Sequence, residues 1–171
     1  QTIQCGDGEL DATEACDHGA ANGTPGSCCT TACTVVANGI ACSDGSICTE
    51  GDRCQAGACV PGTAVAPPGE VSNDTFAADG STLTWDAIPG APAGTVYDVA
   101  RGLAGELPVG GGVSEVCLAP GTPARAASDA VSPGAGQAFW YLVRGRHPCG
   151  TGTYGYAASN GVPTAERITL T

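Results

Sequence analysis

The sequence predicts a mostly β and irregular protein in two parts, a small cysteine-rich module followed by an all-β sandwich. Nine of the eleven cysteines lie before Pro61, in a stretch that contains no aromatic residue. Every aromatic residue comes later, together with short segments in which apolar and polar residues alternate, as they do in strands. A segment of about sixty residues buries too little apolar surface to fold by a core alone, so the first part needs disulfides or metal ions.

The change in composition defines three segments: a cysteine-rich module at 1–60, a Pro- and Gly-rich linker at 61–69 and a sandwich at 70–171. Period-two patterns predict the strands of the sandwich, and Pro-Gly, Gly-Gly and Asn-Gly turns separate them. The predicted strands cover residues 81–85, 95–101, 137–144, 153–158 and 166–170.

Charge and cysteine content restrict the partners and the environment. Seventeen acidic residues against six arginines, with no lysine, give a net charge of -11. This balance argues against nucleic acid or anionic membranes as partners, and no apolar run is long enough to span a bilayer. Dense cysteines indicate disulfides in an oxidising, extracellular setting. The absence of methionine leads us to expect that Gln1 follows a removed signal peptide.

The first loop is crowded with carboxylates. Five acids fall within the eleven residues from Asp7 to Asp17, next to cysteines and glycines. A divalent cation such as calcium binds several oxygen ligands on an irregular loop, although the spacing here is not that of an EF-hand. A solvated acidic turn is the alternative, and the flanking cysteines favour calcium.

The cysteines around this loop carry a family resemblance. Cys5-Gly-Asp-Gly, Cys16-Asp-His-Gly and the vicinal pair Cys28-Cys29 resemble the disintegrin-type cysteine repeat, although His18 replaces one usual cysteine. The adhesive tripeptide loop of that family is absent, so integrin binding is not implied. The resemblance implies a calcium ion held by the side chains of Asp7, Asp11, Glu14 and Asp17 and by the backbone carbonyls of Gln4 and Glu9.

Residues 42–59 resemble a second repeat, CxDGxxCTxGDxCxxGxC, found in secreted and extracellular-matrix proteins. Its alternating cysteines imply crossed disulfides, Cys42–Cys54 and Cys48–Cys59. The carboxylates in this repeat are candidates for a second cation site, although turn formation is the favoured interpretation. These carboxylates are Asp44, Glu50 and Asp52.

The cysteine count is odd. Cys117 and Cys149 are the only cysteines of the second part, and we expect them to pair with each other. Nine then remain in the first part, so at least one is unpaired, bonded across the two parts or bonded to another molecule. A buried free thiol, which behaves as a small apolar residue, and an intermolecular disulfide are both compatible with the sequence.

The second part resembles a fibronectin type III domain through Leu83-Thr-Trp85, Tyr97-Asp-Val99 and Tyr141-Leu-Val143. The resemblance implies a sandwich core built on the tryptophan and the central tyrosine. Alternation along the strand places Trp140 and Leu142 on the face opposite Tyr141 and Val143. Trp140 and Leu142 are therefore predicted to form a partner surface, unless a loop covers them.

No catalytic constellation is recognisable, so an enzyme is not expected. The sequence predicts a secreted, calcium- and disulfide-stabilised structural protein, a self-associating subunit of an extracellular filament, appendage or matrix. The alternative is a non-catalytic accessory module that binds carbohydrate or protein, on an aromatic platform around Trp140 or around Tyr154 and Tyr156. Two Asn-X-Thr sequons, at Asn22 and Asn73, are potential glycosylation sites.

Overall fold

The structure, a computed structural model, describes residues 4–159 and 162–167. The described chain is mostly β and irregular, which confirms the predicted class at this level. Its helical segments are two three-residue 3-10 turns, Gly19–Ala21 and Ala104–Glu106. The chain divides into two compact units, Gln1–Val65 and Ala66–Thr171. Among all the residues that the structure describes, no helix has the length and apolarity needed to cross a membrane.

The described residues of the first unit, 4–65, contain four short strands, β1 (Thr49–Glu50), β2 (Arg53–Gln55), β3 (Ala58–Val60) and β4 (Thr63–Ala64). Strands β2 and β3 form an antiparallel hairpin, and β1 pairs with β4. The hairpin has a two-residue loop in which Ala56 and Gly57 both adopt positive φ, which matches the twist of the strands. Because β4 lies at 63–64, part of the segment predicted as a linker is a strand.

Disulfides take the place of a hydrophobic core in the first unit. Within its described residues, every buried apolar side chain is a cysteine, and Cys28 and Cys29 are fully buried. Cys48 is also disulfide-bonded. Four bridges lie within the unit: Cys5–Cys33, Cys16–Cys29, Cys28–Cys54 and Cys42–Cys59.

The predicted crossed pairing of Cys42–Cys54 and Cys48–Cys59 is wrong. Cys54 and Cys59 lie directly opposite each other in the β2–β3 hairpin. Cys54 is buried and bonds to Cys28, whereas Cys59 bonds to Cys42. The vicinal cysteines are thereby divided between two partners, Cys28 with Cys54 and Cys29 with Cys16.

Where it is described, the second unit consists of two main sheets and a hairpin. The three-stranded sheet has the order β5-β6-β9, and the four-stranded sheet has the order β11-β10-β7-β8. Strands β12 and β13 pair with each other. The strands are β5 (Thr75–Phe76), β6 (Thr82–Thr84), β7 (Val96–Leu103), β8 (Val116–Thr122), β9 (Ala126–Ser128), β10 (Phe139–His147), β11 (Gly150–Thr151), β12 (Tyr156–Ser159) and β13 (Val162–Glu166).

One core joins the two main sheets. Trp85 and Tyr97 meet edge to face with ring centroids 5.5 Å apart, an arrangement favoured by aromatic quadrupoles. Leu83 of β6 and Val143 of β10 pack in the same cluster. The sequence pattern correctly predicted the strands around these residues. Of the predicted strand at 166–170, residues 168–170 lie outside the described residues, as does the predicted turn at 160–161.

The predicted Cys117–Cys149 disulfide is also wrong. Cys117 lies on β8, at one edge of the four-stranded sheet, and Cys149 lies in the turn between β10 and β11, at the other edge. Neighbouring strands are about 4.8 Å apart, so opposite edges of four strands lie too far apart for the Cα separation of a disulfide. Cys149 is disulfide-bonded and Cys117 is a free, exposed thiol. The unpaired cysteine is therefore in the second unit, not in the first.

Candidate metal centre and exposed surfaces

The first acidic loop is organised by Asp17. Its Oδ2 accepts hydrogen bonds from the backbone N–H groups of Gly6 (2.9 Å) and Gly8 (3.2 Å). Its Oδ1 accepts from the backbone of Gly19 (2.7 Å) and from Asn22 Nδ2 (2.9 Å). Burial alone would raise the pKa of Asp17, but hydrogen bonds from Gly19, Gly6, Asn22 and Gly8 outweigh it and keep the pKa below the usual value. Asp17 therefore stabilises the loop as an anion.

The other three predicted side-chain ligands each use one carboxylate oxygen in the loop. Asp7 Oδ1 accepts from the Glu9 amide at 2.9 Å, and Asp11 Oδ2 accepts from the Gln4 amide at 3.2 Å. Glu14 Oε2 accepts from the Asp11 amide at 3.0 Å. The second oxygen of Glu14, Oε1, is buried and has no hydrogen-bond partner within residues 4–159 and 162–167. Buried carboxylate oxygens are normally hydrogen-bonded or bound to a cation, so Glu14 Oε1 is a candidate cation ligand.

The fit to calcium is therefore partial. Asp7, Asp11 and Glu14 each have one oxygen without a hydrogen-bond partner in the described part of the chain, whereas both oxygens of Asp17 accept two hydrogen bonds each. Among the described residues, these carboxylates do not bring three ligand atoms within 4.8 Å of one another. Two clusters of the described residues do meet that spacing, and both contain sulfur: Cys28, Cys42 and Cys54 form one, and Cys5, Glu14 and Cys33 form the other. Their cysteines are all in disulfides, so none is a thiolate ligand.

The second candidate site is a set of carboxylate-stabilised turns. Asp52 is buried, and its two oxygens accept from the amides of Gly62 (2.9 Å) and Asp44 (3.1 Å). Asp44 accepts from the amide of Ser46 and the hydroxyl of Thr49. Glu50 lies exposed on β1. These hydrogen bonds agree with the turn-forming interpretation, because both oxygens of the buried carboxylate accept from backbone amides.

Trp140 and Leu142 form a less open surface than the alternation pattern predicted. Both are half-buried. Trp140 lies opposite Gly102 on β7, and a Cβ atom at Gly102 would be 2.3 Å from Cζ2 of the indole. The ring thus covers the glycine of the neighbouring strand. Leu142 lines a cavity of about 210 Å³ with Tyr154, which is buried and so cannot present an aromatic platform.

A different aromatic groove lies beside the three-stranded sheet, with a volume of about 420 Å³. Phe76 is 40% exposed there, and its ring meets Tyr141 edge to face at 5.0 Å. Phe139 lies 6.3 Å from Tyr141, and the Arg101 guanidinium covers the Phe139 ring at 4.4 Å. Carboxyl and amide groups of Asp79, Asp129 and Gln137 also line the groove. The strand patterns gave no sign of this groove, because it depends on how residues 76–81 meet residues 129–141.

Below the groove lies a polar network that the sequence did not reveal. Asp129 Oδ2 accepts from Arg101 Nη1 at 2.7 Å and from the Tyr141 hydroxyl at 2.9 Å, and its Oδ1 accepts from the Val131 amide at 3.0 Å. The Asp129 side chain is 3% exposed. A second buried aspartate, Asp98, is close to the guanidinium groups of Arg144 and Arg146. No local motif marks these contacts, which join residues far apart in the chain.

Comparison of the chain with protein families, curated proteins and solved structures finds no match. The disintegrin-like and fibronectin type III-like resemblances therefore depend on the residues quoted above. The ten disulfide-bonded cysteines make the protein disulfide-rich, which is consistent with an extracellular location.

Proposed function

We propose that this chain is a secreted structural protein, a subunit of an extracellular filament, appendage or matrix that associates with copies of itself and has no catalytic role. The observation that carries the proposal is the position of the free thiol. Ten cysteines are in disulfides, and Cys117 is exposed on β8, an edge strand of the four-stranded sheet as described. An open edge strand accepts a strand from another chain through main-chain hydrogen bonds.

The environment of Cys117 slows disulfide formation by its thiol. Although the Cys117 side chain is exposed, partial desolvation raises the pKa of its thiol, and the nearby Asp98 carboxylate raises the pKa further. The thiolate is the reactive form, and a raised pKa lowers its fraction, so Cys117 reacts slowly near neutral pH. A disulfide between two chains therefore requires prior association that holds two thiols together, as pairing of two β8 edges would. It also requires a two-electron oxidant such as molecular oxygen, which takes up the electrons and protons of the two thiols.

Light scattering and non-reducing electrophoresis of the purified protein test this proposal, with Cys117→Ser as the matched variant. We expect assemblies larger than a monomer in both proteins, and a reducible covalent dimer in the native protein alone. A strictly monomeric particle at high concentration, with one titratable thiol per chain, would contradict self-association.

The calcium part of the proposal is supported by the buried Glu14 Oε1 and by one oxygen each of Asp7 and Asp11 that has no partner in the described part of the chain. The carbonyls of Gln4 and Glu9 lie on the same exposed loop and are candidates to complete the shell. A ligand that binds only the native state stabilises it by about 2.7 kcal/mol at a hundredfold excess over Kd. We expect a chelator to lower the melting temperature and Glu14→Gln to remove most of that difference. An unchanged melting temperature, with no metal found by elemental analysis, would refute the site.

The fibronectin type III-like assignment remains part of the proposal. Two sheets of three and four strands over one shared core, with Trp85 and Tyr97 at its centre, support it. Solving the structure of residues 66–171 experimentally and comparing its strand order with that of the family tests the assignment.

A non-catalytic ligand-binding module is the second candidate, favoured by the groove at Phe76, Phe139 and Tyr141. Aromatic rings flanked by carboxyl and amide groups suit the apolar faces and hydroxyls of a sugar. Binding of soluble oligosaccharides, followed by calorimetry for the native chain and for Phe76→Ala, tests this function. Binding that is lost in the variant supports it, and no binding in the native chain rejects it.

A further inference from the structure

The two Asn-X-Thr sequons lie in very different environments. Asn22 belongs to the first unit, beside the Cys5–Cys33 disulfide, whereas Asn73 is exposed in the second unit, just before β5. We propose that Asn73 is the N-glycosylation site of this protein, and that a glycan on Asn22 is incompatible with the native Cys5–Cys33 loop.

The amide of Asn22 is fully used inside the first unit. Its Oδ1 accepts from the His18 amide at 2.8 Å. Its Nδ2 donates to Asp17 Oδ1 at 2.9 Å and to Cys33 Sγ at 3.2 Å. Both hydrogens of the nitrogen are therefore directed at neighbours, one at the carboxylate that organises the acidic loop and one at the disulfide. A sugar on Nδ2 would replace one of these hydrogens and displace Asp17 or the Cys33 sulfur.

The amide of Asn73 has room for a sugar. Asn73 is exposed, with φ at 56°, a left-handed conformation that asparagine tolerates better than most residues. Its Nδ2 donates one hydrogen bond, to Asp86 Oδ2 at 2.7 Å. No acceptor is described for the second hydrogen. A glycosylated amide keeps one N–H, so Asn73 retains a donor for Asp86 after modification.

The threonine hydroxyl of each sequon also favours Asn73 over Asn22 as the glycosylation site. N-glycosylation requires a serine or threonine hydroxyl two residues after the asparagine. The Thr24 hydroxyl donates to the Ala21 carbonyl oxygen at 2.8 Å within the turn. Thr75 is exposed on the edge strand β5, and no hydrogen bond of its hydroxyl is described. Only the second sequon presents both of its side chains to a transferase in the folded protein.

The chemistry needs a membrane-bound transferase and a lipid-linked phosphate sugar as donor. Asn73 Nδ2 forms a bond to the anomeric carbon of the sugar. The bond from that carbon to the phosphate oxygen breaks, and the lipid phosphate leaves with the electron pair. One amide proton passes to a base of the transferase.

Secretion of the full chain from a eukaryotic cell line that glycosylates sequons tests the proposal. Intact mass before and after glycosidase treatment gives the number of glycans, and peptide mapping gives the position. We expect one glycan, at Asn73. Thr75→Ala removes it without touching the Asn73 side chain, Thr75→Ser retains it, and Thr24→Ala, the matched control, leaves it unchanged.

Two outcomes would overturn the proposal. One is a glycan on Asn22 in secreted chains whose Cys5–Cys33 disulfide is intact. The other is an unmodified Asn73 while a sequon appended after Thr171 of the same chain is glycosylated, since the cell is then competent. If a glycan reaches Asn22 before folding, we expect those chains in the retained or aggregated fraction with Cys5 and Cys33 not bonded to each other, which supports the incompatibility.

Discussion

The Asp129 network predicts that one carboxylate stabilises the whole second unit. Asp129 follows β9 of the three-stranded sheet, while Arg101 and Tyr141 lie opposite each other on β7 and β10 of the four-stranded sheet. The carboxylate therefore joins the two sheets. Asp129→Ala removes the acceptor and leaves the Arg101 side chain, 14% exposed, as an unpaired charge. Breaking a buried ion pair in this way costs about 3–5 kcal/mol of the free energy of unfolding.

Less disruptive substitutions separate the contributions of the ion pair and of the Tyr141 hydrogen bond to the free energy of unfolding. Tyr141→Phe removes a hydrogen bond to a charged group and leaves the ion pair, so we expect a loss of about 1.5–3 kcal/mol. The double variant Asp129→Ala/Tyr141→Phe is expected to lose less than the sum of the two single losses, because both changes remove the same contact.

Urea denaturation followed by tryptophan fluorescence measures these losses cleanly. Trp85 and Trp140 both lie in the second unit, and the first unit has no aromatic residue, so the signal reports on the second unit alone. Asp74→Ala, which removes the same charge from an exposed position, is the control and should change the stability by no more than about 0.5 kcal/mol. Equal losses in Asp129→Ala and Asp74→Ala would refute the reasoning.

Acid should lower the stability of the second unit, because Asp129 is stabilised in its charged form. Burial alone would raise the pKa of Asp129, but hydrogen bonds from Val131, Arg101 and Tyr141 lower the pKa below 3.8. Its contribution is thus present above pH 3.8 and lost as the pH falls through the folded value, and urea titrations at acid pH should show a smaller loss in Asp129→Asn. Burial, with the Asp129 hydrogen bond, raises the pKa of Tyr141 from 10.0 to about 12, so stability should fall as the pH rises from 10 to 12, less so in Tyr141→Phe. Gly102→Ala should cost about 1–3 kcal/mol and change the Trp140 emission, because the new Cβ meets the indole; Gly105→Ala, which meets no atom within 4 Å, is its control. Mild reductant should remove hydrogen-exchange protection from the first unit before the second, since loss of a native disulfide from a small domain costs about 2–5 kcal/mol; simultaneous loss in both units would contradict this order.

Local pattern was sufficient for the strands that build the core. Leu83, Tyr97 and Val143 lie in segments where apolar residues alternate with polar ones, and all three are buried in the observed cluster. Alternation reports which side chains face inward, whatever the strand order. It missed the short strands β5 and β9 and the edge strand β8, in which alternation is weak or interrupted by Pro120 and Gly121.

Residue spacing was a poor guide to cysteine pairing. Eleven cysteines allow many connectivities, and only the folded arrangement of the chain chooses among them. The crossed pairing failed because Cys28, from outside the second repeat, reaches Cys54. The Cys117–Cys149 pairing failed because the two residues lie at opposite edges of one sheet. The same holds for the acidic loop, where the spacing drew attention to Asp17 but the fold engages both of its oxygens.

By itself, the amino-acid sequence determined how each part of the chain is stabilised. The first part has cysteines where other proteins have a hydrophobic core, and the second part has enough alternating and aromatic residues to form a hydrophobic core. Both follow from composition and short-range periodicity, which act on neighbouring residues. The tertiary structure alone decided which cysteine stays free, which carboxylates are already satisfied and which asparagine is exposed. Those outcomes depend on contacts between residues distant in the chain, such as Cys28 with Cys54 and Asp129 with Arg101, that exist only once the strands have paired.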